Sequence, residues 1–216
     1  QAAGLAAWMF RTMYSRPSEG PDELASFGLF NHFQYYAVLM LPACAEPVSP
    51  EAAGLDKILS FSCGHILARD NWENTKTVVA LQAGYQAYRV SAHRHKDQNS
   101  FQLVIGKERM LIDPGHGCYR LKTQREVASE FVHNTFSIKK DGIIVEQEGV
   151  GCCDNGFQAS KNRLLANYSW GDIHIIASDT SGLYSSLSDR AIRVWVMKLP
   201  YQMLTADIVR TKEKTT

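Results

Sequence analysis

Ser91-Ala92-His93-Arg94-His95-Lys96-Asp97-Gln98-Asn99-Ser100-Phe101 is the stretch on which the fold of this chain turns. On a strand, residues two apart point to the same face, so His93 and His95 would stand side by side. Outward from it run short segments rich in Val, Ile, Tyr and Phe, separated by turn residues. Thr77–Gln82 and Tyr85–Ser91 precede it, and Ser100–Ile105 and Arg109–Asp113 follow, with Gly106-Lys107-Glu108 as a hairpin turn. Further strands are predicted over Thr135–Ile138, Ile143–Gln147, Arg163–Ser169, Ile173–Ser178, Ala191–Lys198 and Met203–Arg210. Short strands at this spacing predict a mainly β domain, an antiparallel β-sandwich over residues 71–216.

Before residue 70 the texture is helical. Ala2 to Tyr14 is rich in Ala, Leu, Met and Trp, and Arg16 to Pro21 is a break. Leu29 to Cys44 is a second apolar segment, dense in aromatics. Ser49 reads as an N-cap ahead of Pro50, with a helix running through Leu55, Ile58 and Leu59 towards Leu67. The chain opens with Gln1 inside an expected helix, so residues 1–70 read as the end of a larger helical domain.

Composition sets limits. The chain has 216 residues, 45% of them hydrophobic, with 23 Lys and Arg against 22 Asp and Glu. A net charge of +1 gives no basic field for a nucleic-acid backbone or an anionic membrane. A moderately anionic ligand would need a local cluster of cations. No apolar run reaches the ~18 residues of a membrane span. Five cysteines, Cys44, Cys63, Cys118, Cys152 and Cys153, cannot all pair internally, and none has CxxC spacing.

The chemistry-bearing residues are histidines and one aspartate. Asp113 ends a strand expected beside Ser100–Ile105 and opens the turn Asp113-Pro114-Gly115. His133-Asn134-Thr135 begins another strand. Two imidazoles and a carboxylate suit zinc, with water or a fourth group completing the shell. The plainer alternative is that the two histidines are neighbours by chance, that Asp-Pro-Gly is only a turn, and that Asp97 anchors a loop.

The blocks His93 to Phe101, Leu111-Ile112-Asp113-Pro114-Gly115 and His133-Asn134-Thr135, followed by Ala177-Ser178-Asp179-Thr180 and Arg193 to Lys198, resemble the carboxy-terminal domain of the heparinase II/III-like polysaccharide lyases. The resemblance covers roughly residues 70–210 and, more weakly, 20–50. It implies a helical toroid followed by an antiparallel β-sandwich, with the active site between them. It implies that His95, Asp113 and His133 bind a metal, zinc or another divalent ion, and that His93 is catalytic. The segment Phe30 to Ala37 resembles the tyrosine-bearing helix, which makes Tyr36 the catalytic tyrosine and Tyr35 a cleft residue. Phe33 stands at the position of the catalytic tyrosine in one alignment, and an aromatic core stripe is the other reading of Phe33, Tyr35 and Tyr36. Tyr119 and Arg120 are expected to line the glycan cleft, or else to be strand-edge residues.

The implied reaction is β-elimination on an anionic, uronic-acid-containing glycan, such as a glycosaminoglycan or alginate, by a secreted or periplasmic enzyme. This chain, lacking most of the toroid, is expected to be inactive alone. The competing expectations are a non-catalytic glycan-binding or structural β-sandwich that keeps a metal, and a metal-dependent hydrolase.

Overall fold

The computed structural model describes residues 4, 5, 8, 46–84, 95–118, 120–148 and 162–212. It divides into two compact units, Gln1–Asp56 and Lys57–Thr216. In the first, residues 4, 5 and 8 are helical, and Val48 N donates to Gly4 O at 3.0 Å. Ser49 does cap, its Oγ accepting from Ala52 N at 3.1 Å. The helix it opens is a single turn, however. Gly54 at φ +74° reverses the chain, and Leu55 N closes the turn on Pro50 O at 2.8 Å. The helix expected through Ile58 and Leu59 towards Leu67 is instead a pair of strands, so β structure starts well before residue 70. Alternating burial from His65 to Arg69, absent from a helix-like period, marks the difference.

The second unit is an antiparallel sandwich. One sheet has the order β1 (Ile58–Ser60), β2 (His65–Arg69), β3 (Thr77–Gln82), β4 (Phe101–Ile105), β5 (Glu108–Leu111). A short helix α1 (Lys122–Val127), a 3-10 turn (Glu130–Val132) and the hairpin β6 (Ile138–Lys140) and β7 (Ile143–Val145) follow. The other sheet is built from β8 (Arg163–Trp170), β9 (Ile173–Asp179), β10 (Ser188–Lys198) and β11 (Gln202–Thr211), in the order β11-β10-β9-β8. Nine of the expected strands therefore form within two or three residues of their predicted ends, while Tyr85–Ser91 lies outside the described residues.

Each sheet turns one face inward. Ile66, Ala68, Val79 and Leu81 from the first sheet pack against Ile176, Trp195 and Met197 from the second, all buried. Burying side chains of this size stabilises the fold by ~1.5–3 kcal/mol each. Trp195 is wholly enclosed, whereas Trp170 is 75% exposed at the end of an edge strand. A second apolar cluster of Ile138, Leu183, Tyr184, Leu187 and Ala191 seats the β6–β7 hairpin.

One cation joins these parts. Arg193 points into the sandwich on β10 and is 5% exposed. It forks onto its cross-strand partner Asp207 on β11, Nε to Oδ1 at 2.6 Å and Nη2 to Oδ2 at 2.7 Å. Its remaining nitrogen, Nη1, donates to the backbone oxygens of Asn99 at 2.8 Å and Asn134 at 2.7 Å. Replacing it with leucine strands a carboxylate and two carbonyls. An Arg193→Leu variant is expected to lose about 3–5 kcal/mol of stability in urea unfolding.

Glu130 gives a second test. It is fully buried; its Oε2 accepts from Gln147 N at 2.9 Å, while Oε1 has no partner. Burial pushes its carboxyl up to about 7, against the opposing Tyr184 hydroxyl and Gln147 N–H. A folded value above the unfolded one stabilises the fold below pH ~4.5, and that contribution disappears as pH rises through about 7. Stability is expected to fall by about 1–3 kcal/mol across this window, and Glu130→Gln to flatten the fall, as read from urea midpoints at several pH values.

Candidate metal centre and cleft

Three loops meet beside the first sheet. The loop from His95 to Ser100 enters β4, its Asn99 at φ +64° and its ends laddered to β3 through Asn99 N to Gln82 O (2.9 Å) and Gln82 N to Ser100 O (3.0 Å). The second leaves β5 as Asp113-Pro114-Gly115. The Asp113 Oδ1 accepts from Gly115 N at 2.8 Å, a local turn bond that aims the other carboxylate oxygen away. The third is His133-Asn134-Thr135, following the 3-10 turn.

Asn134 locks the second and third loops together. Its amide donates to Phe101 O at 3.0 Å and Ile112 O at 2.9 Å, one carbonyl beside each of β4 and β5. Thr135 Oγ1 donates to Gln98 O at 3.0 Å, so the first loop is held as well. His133, next in chain to Asn134, is thereby set against Asp113, with Nδ1 3.0 Å from Oδ2. At that distance the two form an ion pair whenever the imidazole carries both protons. Both ring nitrogens of His133 are buried and without a hydrogen-bond partner. The His95 ring lies beside it, centroids 5.4 Å apart and tilted by 40°.

The local electrostatics are those of a cluster. Burial lowers the His95 imidazole, and the His133 and His116 charges add to that while Asp113 opposes it. Burial would raise the Asp113 carboxyl, but His133, the Gly115 N–H and His95 outweigh it and hold it low. Asp97 is a further member, lying beside both His133 and Asp113. Burial pushes it up to about 6 despite the opposing pull of His133. Gln98 Nε2 donates to its Oδ1 at 2.9 Å, and Asp97 O accepts from Ser100 N at 2.9 Å. Its loop-anchoring role is as the sequence suggests; its place in the cluster is not visible in spacing.

The donor types and the two unpartnered imidazole nitrogens fit a divalent metal such as zinc. Distances single out the His133–Asp113 pair, with His95 beside it. Among the described residues no three His, Cys, Asp or Glu side chains are already disposed around one point.

Asp97 and Asp113 also line one end of a cleft of about 370 Å³ on the outer face of the first sheet. Its floor is made by Leu67, Ala80 and Gln102, neighbours in register across β2, β3 and β4, with Phe61 at its side. His93, Tyr35, Tyr36 and Tyr119 lie outside the described residues. Arg120 is exposed in the turn before α1. His174, unassigned from sequence, is bound between Ser169 Oγ at 2.6 Å and Asn167 Oδ1 at 2.9 Å, remote in the chain from these loops.

Asn134→Ala should release two carbonyls and loosen His133. It is expected to cost about 1–3 kcal/mol in denaturant unfolding and to separate the His133 and Asp113 side chains, which a crystal structure of the variant would show.

Comparison with known proteins places these features. Residues 64–168 match the family described as Heparinase II/III-like, C-terminal. No curated protein sequence matches the chain. The fold is similar to that of heparan sulfate lyase HepC from Pedobacter heparinus, with 15% identity, a TM-score of 0.56, and coverage of 89% of this chain and 27% of that one. It is also similar to a heparinase III, with 15% identity, a TM-score of 0.56, and coverage of 91% of this chain and 29% of that one. The chain thus spans little more than a quarter of the length of these proteins. The part of the sandwich that carries the three loop blocks is thus similar to the carboxy-terminal domain of the heparinase II/III-like family, and the whole fold is shared with these lyase structures.

Proposed function

We propose that this chain is part of a polysaccharide lyase that cleaves a uronic-acid-containing glycan by β-elimination. The observation that supports it most is His133 set against Asp113, its Nε2 buried without a hydrogen-bond partner, at the end of a cleft on a domain similar to the carboxy-terminal one of heparinases.

The reaction makes three demands. The proton at C5 is weakly acidic, so the adjacent carboxylate must be neutralised. A base must take that proton, and an acid must protonate the departing oxygen. His93 is assigned as the base and Tyr36 as its partner, with Tyr35, Tyr119 and Arg120 contacting the glycan. His95, Asp113 and His133 would hold a zinc or other divalent ion. Bound there, the ion supplies positive charge that fixes three loops in one arrangement. Held by those loops, Asp97 and Asp113 shape one end of the cleft, and the apolar floor excludes water from a sugar ring laid on it. Substrates of this kind are extracellular polymers, so a secreted or periplasmic location for the whole protein is part of this proposal.

A second reading, a glycan-binding sandwich without catalysis, is favoured by the cleft belonging wholly to the second unit. The two separate on one assay. The full-length protein is expected to raise ultraviolet absorbance through an unsaturated uronyl product on at least one of alginate, heparan sulfate and heparin, and the present chain alone to give little. His133→Ala should lose bound zinc by elemental analysis. Silence on all three glycans sinks the lyase reading, and chain shortening without a double bond would mean hydrolysis instead.

A further inference from the structure

A second cleft, of about 300 Å³, opens at the edge of the sandwich, where the start of β1 and the far end of β2 face Asp172, His174, Met197 and Leu199 of the second sheet and its turns. Lys57 and Arg69 line it together. They are cross-strand neighbours, since Arg69 N donates to Lys57 O at 3.0 Å and the next pair in register is Ile58 with Ala68. Like charges directly opposite on paired strands repel and weaken the pairing. Among the described residues no carboxylate forms an ion pair with either.

The other charged groups of the cleft are engaged elsewhere. Asp70 Oδ1 accepts from the backbone N–H groups of Lys76 at 2.9 Å and Thr77 at 2.8 Å. Asp172 pairs with Lys198 at 3.0 Å. The His174 ring is bound at both nitrogens. Among the described residues neither Lys57 nor Arg69 makes an ion pair. Arg69 is instead laid flat on the Trp72 ring, its Cζ 3.9 Å from the centroid, with Nε buried and without an acceptor. Stacking fixes the plane of the guanidinium and leaves its hydrogen-bonding edge to whatever enters the cleft. Burial lowers the Arg69 side chain, as expected of a cation short of a counter-ion.

We infer that Lys57 and Arg69, with Trp72 beneath, form a subsite for a carboxylate or sulfate group of an anionic polysaccharide. The position is meaningful: Arg69 projects from the same face of β2 as His65 and Leu67, which line the cleft that ends at Asp97 and Asp113. From His65 to Arg69 the strand spans ~13 Å. A linear polymer running along the outer face of β2 and over its end into the second cleft would meet the acidic end at one point and this cationic pair at another, so the subsite acts on long chains only. The inference rests on the anionic-glycan reading above, but not on catalysis.

The test uses the full-length protein with Lys57→Gln and Arg69→Gln together, set beside the charge-keeping pair Lys57→Arg and Arg69→Lys. Polymeric heparan sulfate, polymeric alginate, their disaccharides and inorganic sulfate are titrated calorimetrically, and turnover of the polymers is followed alongside. The charge-removing variant should bind at least one polymer roughly five- to tenfold more weakly and raise its KM by as much, with kcat within twofold and disaccharide binding unchanged. Weakening on heparan sulfate alone points to sulfate, and on both polymers to carboxylate. The charge-keeping variant should retain polymer affinity, and the melting temperature of the charge-removing one should not fall, since a like-charge pair is relieved. Polymer binding unaltered by charge removal, or weakened equally for disaccharides, overturns the subsite while leaving any lyase activity standing. Failure of the unmodified protein to bind either polymer also overturns it. Weakened binding by a protein that cleaves nothing keeps the subsite and removes the lyase.

Discussion

The buried guanidinium of Arg193 is the constraint that the rest of the domain is arranged around. A cation at this depth is tolerable only if its charge and most of its donors are met, and four acceptors from three parts of the chain meet it. Two of them belong to the neighbouring strand and two are carbonyls of separate loops. A lysine could satisfy the charge but not the fork geometry. The second sheet is thereby keyed to the Asn99 and Asn134 loops, which carry residues of the candidate centre, and a shift of either loop would leave a charge or a carbonyl unmatched.

Around that cation the interior is unusually polar and mostly satisfied. Asn99 Nδ2 donates to Thr180 Oγ1 at 3.0 Å, and Thr180 in turn donates to Ala191 O. Asn162 bonds the Gln98 side chain and accepts from Ser178 Oγ at 3.2 Å. His133 is among the exceptions, with Gln82, Asn99 Oδ1 and Glu130 Oε1, and a buried imidazole whose nitrogens make no hydrogen bond costs free energy. Lys57 and Arg69 show a similar imbalance in charge at the other end of β2. Both places are locally unfavourable as they stand, and both would be relieved by a ligand of the opposite character.

Much of the fold was legible because short runs rich in Val, Ile and aromatic residues between turn residues mark strands. Ala191–Lys198 and Ile173–Ser178 are such runs, and β9 and β10 follow them. The short β1–β2 hairpin was not legible. Ser49-Pro50-Glu51 is a sound helix opening, and only the left-handed backbone at Gly54 ends it after one turn. For the candidate centre, motif blocks pointed to His95, Asp113 and His133, and the loops bring these near one another. Asp97 could not be read as their neighbour, since its approach depends on Gln82, Gln98 and Asn99 folding the loop back on β3. Nor could Arg69 and Lys57 be paired from spacing, because the sequence predicts helix where the hairpin opposes them.

Gln147 holds one further lesson. Its side-chain amide both accepts from Gln98 N at 3.1 Å and donates to Gln98 O at 3.0 Å, the two bonds that a neighbouring strand would otherwise make. A single side chain thus counterfeits a piece of sheet beside an irregular segment. The segment between His95 and β4 is consequently shaped before any ligand arrives. The entropy of ordering it is lost once, when the chain folds, and does not recur at each encounter with a partner.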